Sequence, residues 1–125
     1  MKLRVIALVL LSCLGQAGSA VAGDDAGAKL FKNHCMACHS IDPASPPRQG
    51  PNLQGVLQRK AGTLEGFKYS AGLKAAGWQW TPEQLDLWLT DPKALVPDTL
   101  MSVYKQKDAD KRRLIIDYLK SSANN

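Results

Sequence analysis

A chain of 125 residues, 45% apolar and 22% charged, has room for one domain with a modest core. Its formal net charge of +5 comes from basic residues scattered among acidic ones, so it carries no basic stripe of the kind that binds nucleic acid. No internal repeat or low-complexity tract is visible, which excludes solenoid and linker architectures.

The first segment reads as a targeting sequence. Lys2 and Arg4 form a positive start, "VIALVLLSCLG" is a short apolar run, and "AVA" at 20–22 offers small residues at both cleavage subsites. The expectation is a secretory signal peptide over residues 1–22, cleaved after Ala22, and a functional domain over 23–125. A membrane anchor needs roughly 20 apolar residues, more than this run supplies. A lipoprotein reading of "LLSC" would place its cysteine, Cys13, very early. Cleavage removes Lys2, Arg4 and Cys13, so the net charge falls from +5 to +3 and two cysteines, Cys35 and Cys38, remain. They would sit in an exported, oxidising setting.

Four helices are predicted downstream. The first covers about 25–34, with Leu30 and Phe31 on one face. The second is "SAGLKAAG", from the capping candidate Ser70 to Gly77. In the third, Thr81 caps, Pro82 takes the first helical position, Leu85, Trp88 and Leu89 share a face, and Asp91-Pro92 is the stop. The fourth covers about 108–121, with Ile115, Tyr118 and Leu119 inward and "DKRR" outward. No segment alternates as a strand. Residues 40–69 are rich in proline and glycine and lack a helical period. Such a long irregular stretch counts against a compact domain unless it wraps something other than protein.

"HCMACHS", residues 34–40, supplies a candidate for what is wrapped. A redox dithiol needs its C-x-x-C after a strand, and no strand precedes Cys35. A structural zinc ion needs four protein ligands, and His34 and His39 flank the cysteines too closely for a good tetrahedron. A disulfide alone leaves His39 unexplained. C-x-x-C-H is the signature of c-type haem attachment: two thiols add to the two vinyl groups of one porphyrin, and the following imidazole faces the iron.

If His39 takes one face of the iron, the chain offers few groups for the other. His34 is too close to Cys35 to reach it, Met1 leaves with the signal peptide, and Met36 lies between the attachment points. Met101, in the proline-bounded stretch "LVPDTLMSVY", remains. Methionine thioether is a common axial ligand of electron-transfer haems, although most methionines fill cores.

Beyond these motifs the chain resembles the class I c-type cytochromes, of the mitochondrial cytochrome c and bacterial cytochrome c2 type, from Gly27 to Leu119 without a gap. "CMACH", "GPNLQGVLQRKAG", "GFKYS", Trp80, "DPKALVPDTLM" and "LIIDYLK" each match a family segment in order. The resemblance implies an all-α fold of about four helices and long loops around one covalently attached haem c. It implies that the carbonyl of Pro51 orients His39, that Tyr69 and Trp80 donate to one propionate with Arg59 nearby, and that Thr99 covers the other. Gly27 and Phe31 would meet Tyr118 where the terminal helices cross. Lys32, Lys93 and Lys105 would form a basic rim at the haem edge.

The chain departs from the family pattern at five positions. Asp98 stands where glycine is usual, at a turn that would then need positive φ. Leu100 replaces a lysine, and Trp88 a tyrosine that often bonds the methionine sulfur. Leu73 replaces an asparagine, and Val103 an aromatic residue.

The resemblance implies a soluble, monomeric periplasmic carrier that moves single electrons between donor and acceptor oxidoreductases. It would not be an enzyme, would not bind nucleic acid and would not be membrane-inserted after cleavage. Two alternatives are a haem-c subunit dedicated to one dehydrogenase or peroxidase, and, should Met101 not ligate, a five-coordinate gas-binding or catalytic haem.

Overall fold

A computed structural model describes residues 20–124 of the chain. Among them are five α-helices: α1 (Ala20–His34), α2 (Ala71–Ala75), α3 (Pro82–Thr90), α4 (Pro92–Leu95) and α5 (Ala109–Ser122), with one short 3₁₀ turn at Val56–Gln58. The only extended pairing among the described residues is an isolated antiparallel bridge, Lys60 to Gln79. The all-α expectation holds. The expected signal peptide lies almost wholly outside the described residues.

The helix starts follow from local chemistry. Ser70 Oγ accepts from the Leu73 amide and Thr81 Oγ1 from that of Gln84, at 3.2 and 3.1 Å. Asp108 Oδ1 accepts from the amides of Asp110 and Lys111. Each bond satisfies a donor that the first turn leaves open.

Four expectations need correction. The first helix begins at Ala20, ahead of Asp25, and α2 stops at Ala75, short of Gly77. Asp91-Pro92 ends α3 but also starts α4: Asp91 Oδ1 accepts from the Ala94 amide at 3.3 Å, and Pro92 occupies the first helical turn. Arg112, within "DKRR", points inward. Its side chain is only 11% exposed, and its Nε donates to Asp86 Oδ1 of α3 at 2.7 Å.

The terminal helices form the main packing seam. Phe31 of α1 and Ile115 of α5 are each 1% exposed, and the rings of Phe31 and Tyr118 lie 5.4 Å apart. The approach is close because residue 27 has no side chain: a Cβ there would lie 2.5 Å from the Leu114 carbonyl oxygen and 2.7 Å from Tyr118 Cβ. α3 packs on α5 through the buried residues Leu85, Trp88 and Leu89. Residues 40–69 wrap around the remaining side, irregular apart from the 3₁₀ turn and the bridge at Lys60.

Candidate haem site

The helices and the wrapping segment enclose a cavity of about 470 Å³, within the range of about 300–1,000 Å³ typical of small-molecule and cofactor sites. Its walls are mainly apolar. Leu53 and Val56 come from the wrapping segment, Leu73 from α2, Leu85, Trp88 and Leu89 from α3, and Ile115 and Leu119 from α5. This explains the long irregular loop: much of its inward surface faces the cavity.

Cys35, Cys38 and His39 enter the cavity just past the end of α1. The chain turns there through amide bonds from Cys38 and His39 to the Cys35 carbonyl, at 3.0 and 2.9 Å. Both cysteines are free thiols. Burial, with the neighbouring Cys38 charge, pushes the Cys35 thiol up to about 11. His39 is held by the Pro51 carbonyl, 2.8 Å from its Nδ1, as the resemblance implies. Burial holds the His39 pKa below the ordinary histidine value, only partly opposed by the Pro51 bond. The ring is therefore kept neutral, the form that can bind a metal, and the bond to Pro51 leaves Nε2 as the free nitrogen.

Sequence reasoning missed Gly50. A Cβ at this position would fall 2.3 Å from His39 Cε1. The imidazole rests directly on the Gly50 backbone, whose amide is tied to the Cys38 carbonyl at 2.8 Å. The adjacent Gly50-Pro51 pair was the only available signal.

Met101 lines the same cavity from the loop between α4 and α5. The Trp88 indole Nε1 donates to its Sδ at 3.2 Å, and its own amide donates to Thr99 Oγ1 at 3.2 Å. An indole thus makes the bond to sulfur at the position where the family pattern often has a tyrosine. Thr99 is 6% exposed and lines the cavity.

The more polar part of the lining comes from Arg59, Tyr69, Ser70 and Trp80. The short bridge pairs their segments: the Trp80 amide donates to the Arg59 carbonyl and the Ala61 amide to that of Trp78. Arg59 also donates to the carbonyls of Asn52 and Gln54. Burial lowers the Arg59 pKa and raises that of Tyr69, the latter offset in part by the Arg59 charge.

Every residue expected to hold the haem thus lines one cavity; Asp98, outside that set, was expected to be strained. That expectation fails. No non-glycine residue among those described has positive φ. The Asp98 carboxylate instead accepts a bond from the Gly72 amide at 2.9 Å.

The donor set suits a covalent haem: two free thiols, a neutral oriented imidazole and a thioether surround one apolar cavity with a few polar groups in its wall. Comparison with known proteins agrees. The cytochrome c family model matches residues 25–123. A cytochrome c-type cyt cy of Rhodobacter capsulatus is 45% identical over 100 residues, which cover 79% of this chain and 49% of that protein. The chain therefore spans about half the length of this relative. Cytochrome c 2.1 of Caenorhabditis elegans is 41% identical over 99 residues, covering 78% of this chain and 88% of its own. Cytochrome c of Gossypium barbadense is 40% identical over 97 residues, with 78% and 87% covered.

Proposed function

Since the chain belongs to the cytochrome c family, and so is a haem-based electron carrier with covalently bound haem c, we propose that it is a monomeric, exported carrier with His39 and Met101 as axial ligands. The observation that carries this reading is one cavity lined by both thiols, the Pro51-oriented imidazole and the Trp88-bonded thioether. Cys35 and Cys38 would form the thioethers.

The haem supplies a one-electron iron couple. The chain fixes where that couple lies and who can reach it. Thioether ligation favours the reduced state, and apolar walls disfavour the extra positive charge of the oxidised one. The Trp88 N–H withdraws electron density from Met101 Sδ and acts in the same direction. Tyr69 and Trp80 would donate to one propionate, with Arg59 nearby to neutralise it, and Thr99 would help cover the other. With His39 and Met101 both holding the iron, no open position would be left for a substrate, which favours a carrier over an enzyme. Export rests on Lys2, Arg4 and the apolar run that follows them. No helix among the described residues is long and apolar enough to cross a membrane.

The test is direct. Denaturing electrophoresis with a haem-peroxidase stain gives a coloured band from the mature chain, weakened or lost in Cys35→Ala and Cys38→Ala. The ferric protein shows the weak far-red sulfur-to-iron band, which Met101→Ala removes. Haem fully extracted by acidified acetone, or a Met101→Ala spectrum identical to wild type, sinks the corresponding part of the reading.

A further inference from the structure

The loop carrying Met101 leaves α4 at Val96 and reaches α5 only at Asp108. Its return is fastened at the neck. Lys105 Nζ donates to Asp91 Oδ2 at 2.7 Å, and the Gln106 amide donates to the Leu89 carbonyl at 2.8 Å. Its outgoing limb runs through exposed Pro97 and Asp98 before Thr99 turns back into the buried wall. A side-chain bond joins that limb to α2. The Gly72 amide of α2 donates to Asp98 Oδ2 at 2.9 Å. Ser70 already caps α2 by accepting from Leu73, so Asp98 satisfies another of the open donors in that first turn. The acceptor is a carboxylate, which makes the bond charge-assisted. It also depends on residue 72 lacking a side chain: a Cβ there would lie 2.2 Å from Asp98 Oδ1 and 2.9 Å from Val96 Cγ1.

We propose that Asp98 is a positioning residue, a latch from the Met101 loop to α2 that sets how often Met101 Sδ leaves its place. The inference rests on Met101 being an axial ligand, as proposed above. A competing ligand binds only the fraction of molecules whose loop is open, so its apparent affinity scales with that fraction. Loss of one hydrogen bond of ordinary strength raises an open population about two- to tenfold.

The test uses the ferric holoprotein and imidazole as the competitor. Asp98→Ala binds imidazole about two- to tenfold more tightly than wild type, whereas Asp98→Asn, which keeps an acceptor oxygen but not its charge, falls between the two. Gly72→Ala, which displaces the carboxylate, tightens binding as Asp98→Ala does, and the two together add little because they break the same contact. A second readout is independent of ligation. Hydrogen exchange at the Gly72 amide of the ferrous holoprotein accelerates in Asp98→Ala and less in Asp98→Asn. A wild type without the far-red band overturns the ligation reading. A wild type with the band, together with unchanged imidazole affinity or unchanged Gly72 exchange in Asp98→Ala, overturns the latch alone.

Discussion

Trp88 shows how much a single side chain can do at this site. It is 6% exposed, its ring lies 5.5 Å from that of Trp80, and its one donor goes to Met101 Sδ at 3.2 Å. An indole N–H can only donate, so the polarisation of the sulfur has a fixed sign. Trp88→Phe keeps most of the packing and removes the donor. The expected result is a midpoint potential lower by about 20–60 mV, the one-electron equivalent of a hydrogen bond worth about 0.5–1.4 kcal/mol. Equilibrium redox titration reads it, and a potential at or above wild type refutes the polarisation. The position of Trp88 was legible in the sequence, but its bond was not, because whether an indole reaches a sulfur depends on how α3 is rotated. Asp98 was misread for a related reason. Its sequence position suggested a strained turn, while the contact that defines it comes from α2, far away in the chain.

At the scale of elements, the caps were readable because they are local. Ser70 and Thr81 each bond to an amide within the first turn they start, whereas Asp108 was read as the start of its helix and not as its cap. Arg112 was not readable, because a charged residue on a helix looks solvated until its partners are known. It ties α5 to α3 through both Asp86 oxygens and fastens the end of the Met101 loop by donating to the carbonyls of Gln106 and Lys107. With the Arg112 side chain 11% and the Asp86 side chain 42% exposed, the pair is half in water. Arg112→Ala is expected to cost about 1.5–3 kcal/mol in denaturant unfolding. Arg113→Ala, whose pairs with Asp110 and Asp117 are exposed, is expected to cost under about 0.5 kcal/mol. Equal losses in the two variants would remove the buried-clamp account.

Across the whole molecule, the cavity mouth is more apolar than the charge suggests. Val103 is 93% and Leu100 67% exposed, and both also line the cavity. Lys105, expected in a free basic rim, is paired with Asp91. Steering of an acidic partner then falls more on Lys32 and Lys93, both exposed. The rate of electron transfer to an isolated partner is expected to fall gently with ionic strength, over a Debye length of about 8 Å at physiological salt, and to fall further in Lys93→Glu. Stopped-flow kinetics decide it; a flat salt profile shared by both proteins leaves the lysines as solvated surface. The crossing of α1 and α5 imposes something else, a timetable. It joins two segments far apart in the chain, so it cannot form until α5 has been made. Closing so long a loop also carries an entropic cost that slows folding. Once the crossing has formed, Cys35 is 7% exposed and its thiol is held protonated, which leaves little thiolate to react. If Cys35 and Cys38 hold the haem as proposed, their thiols are therefore easier to join to a porphyrin before α5 docks than after it.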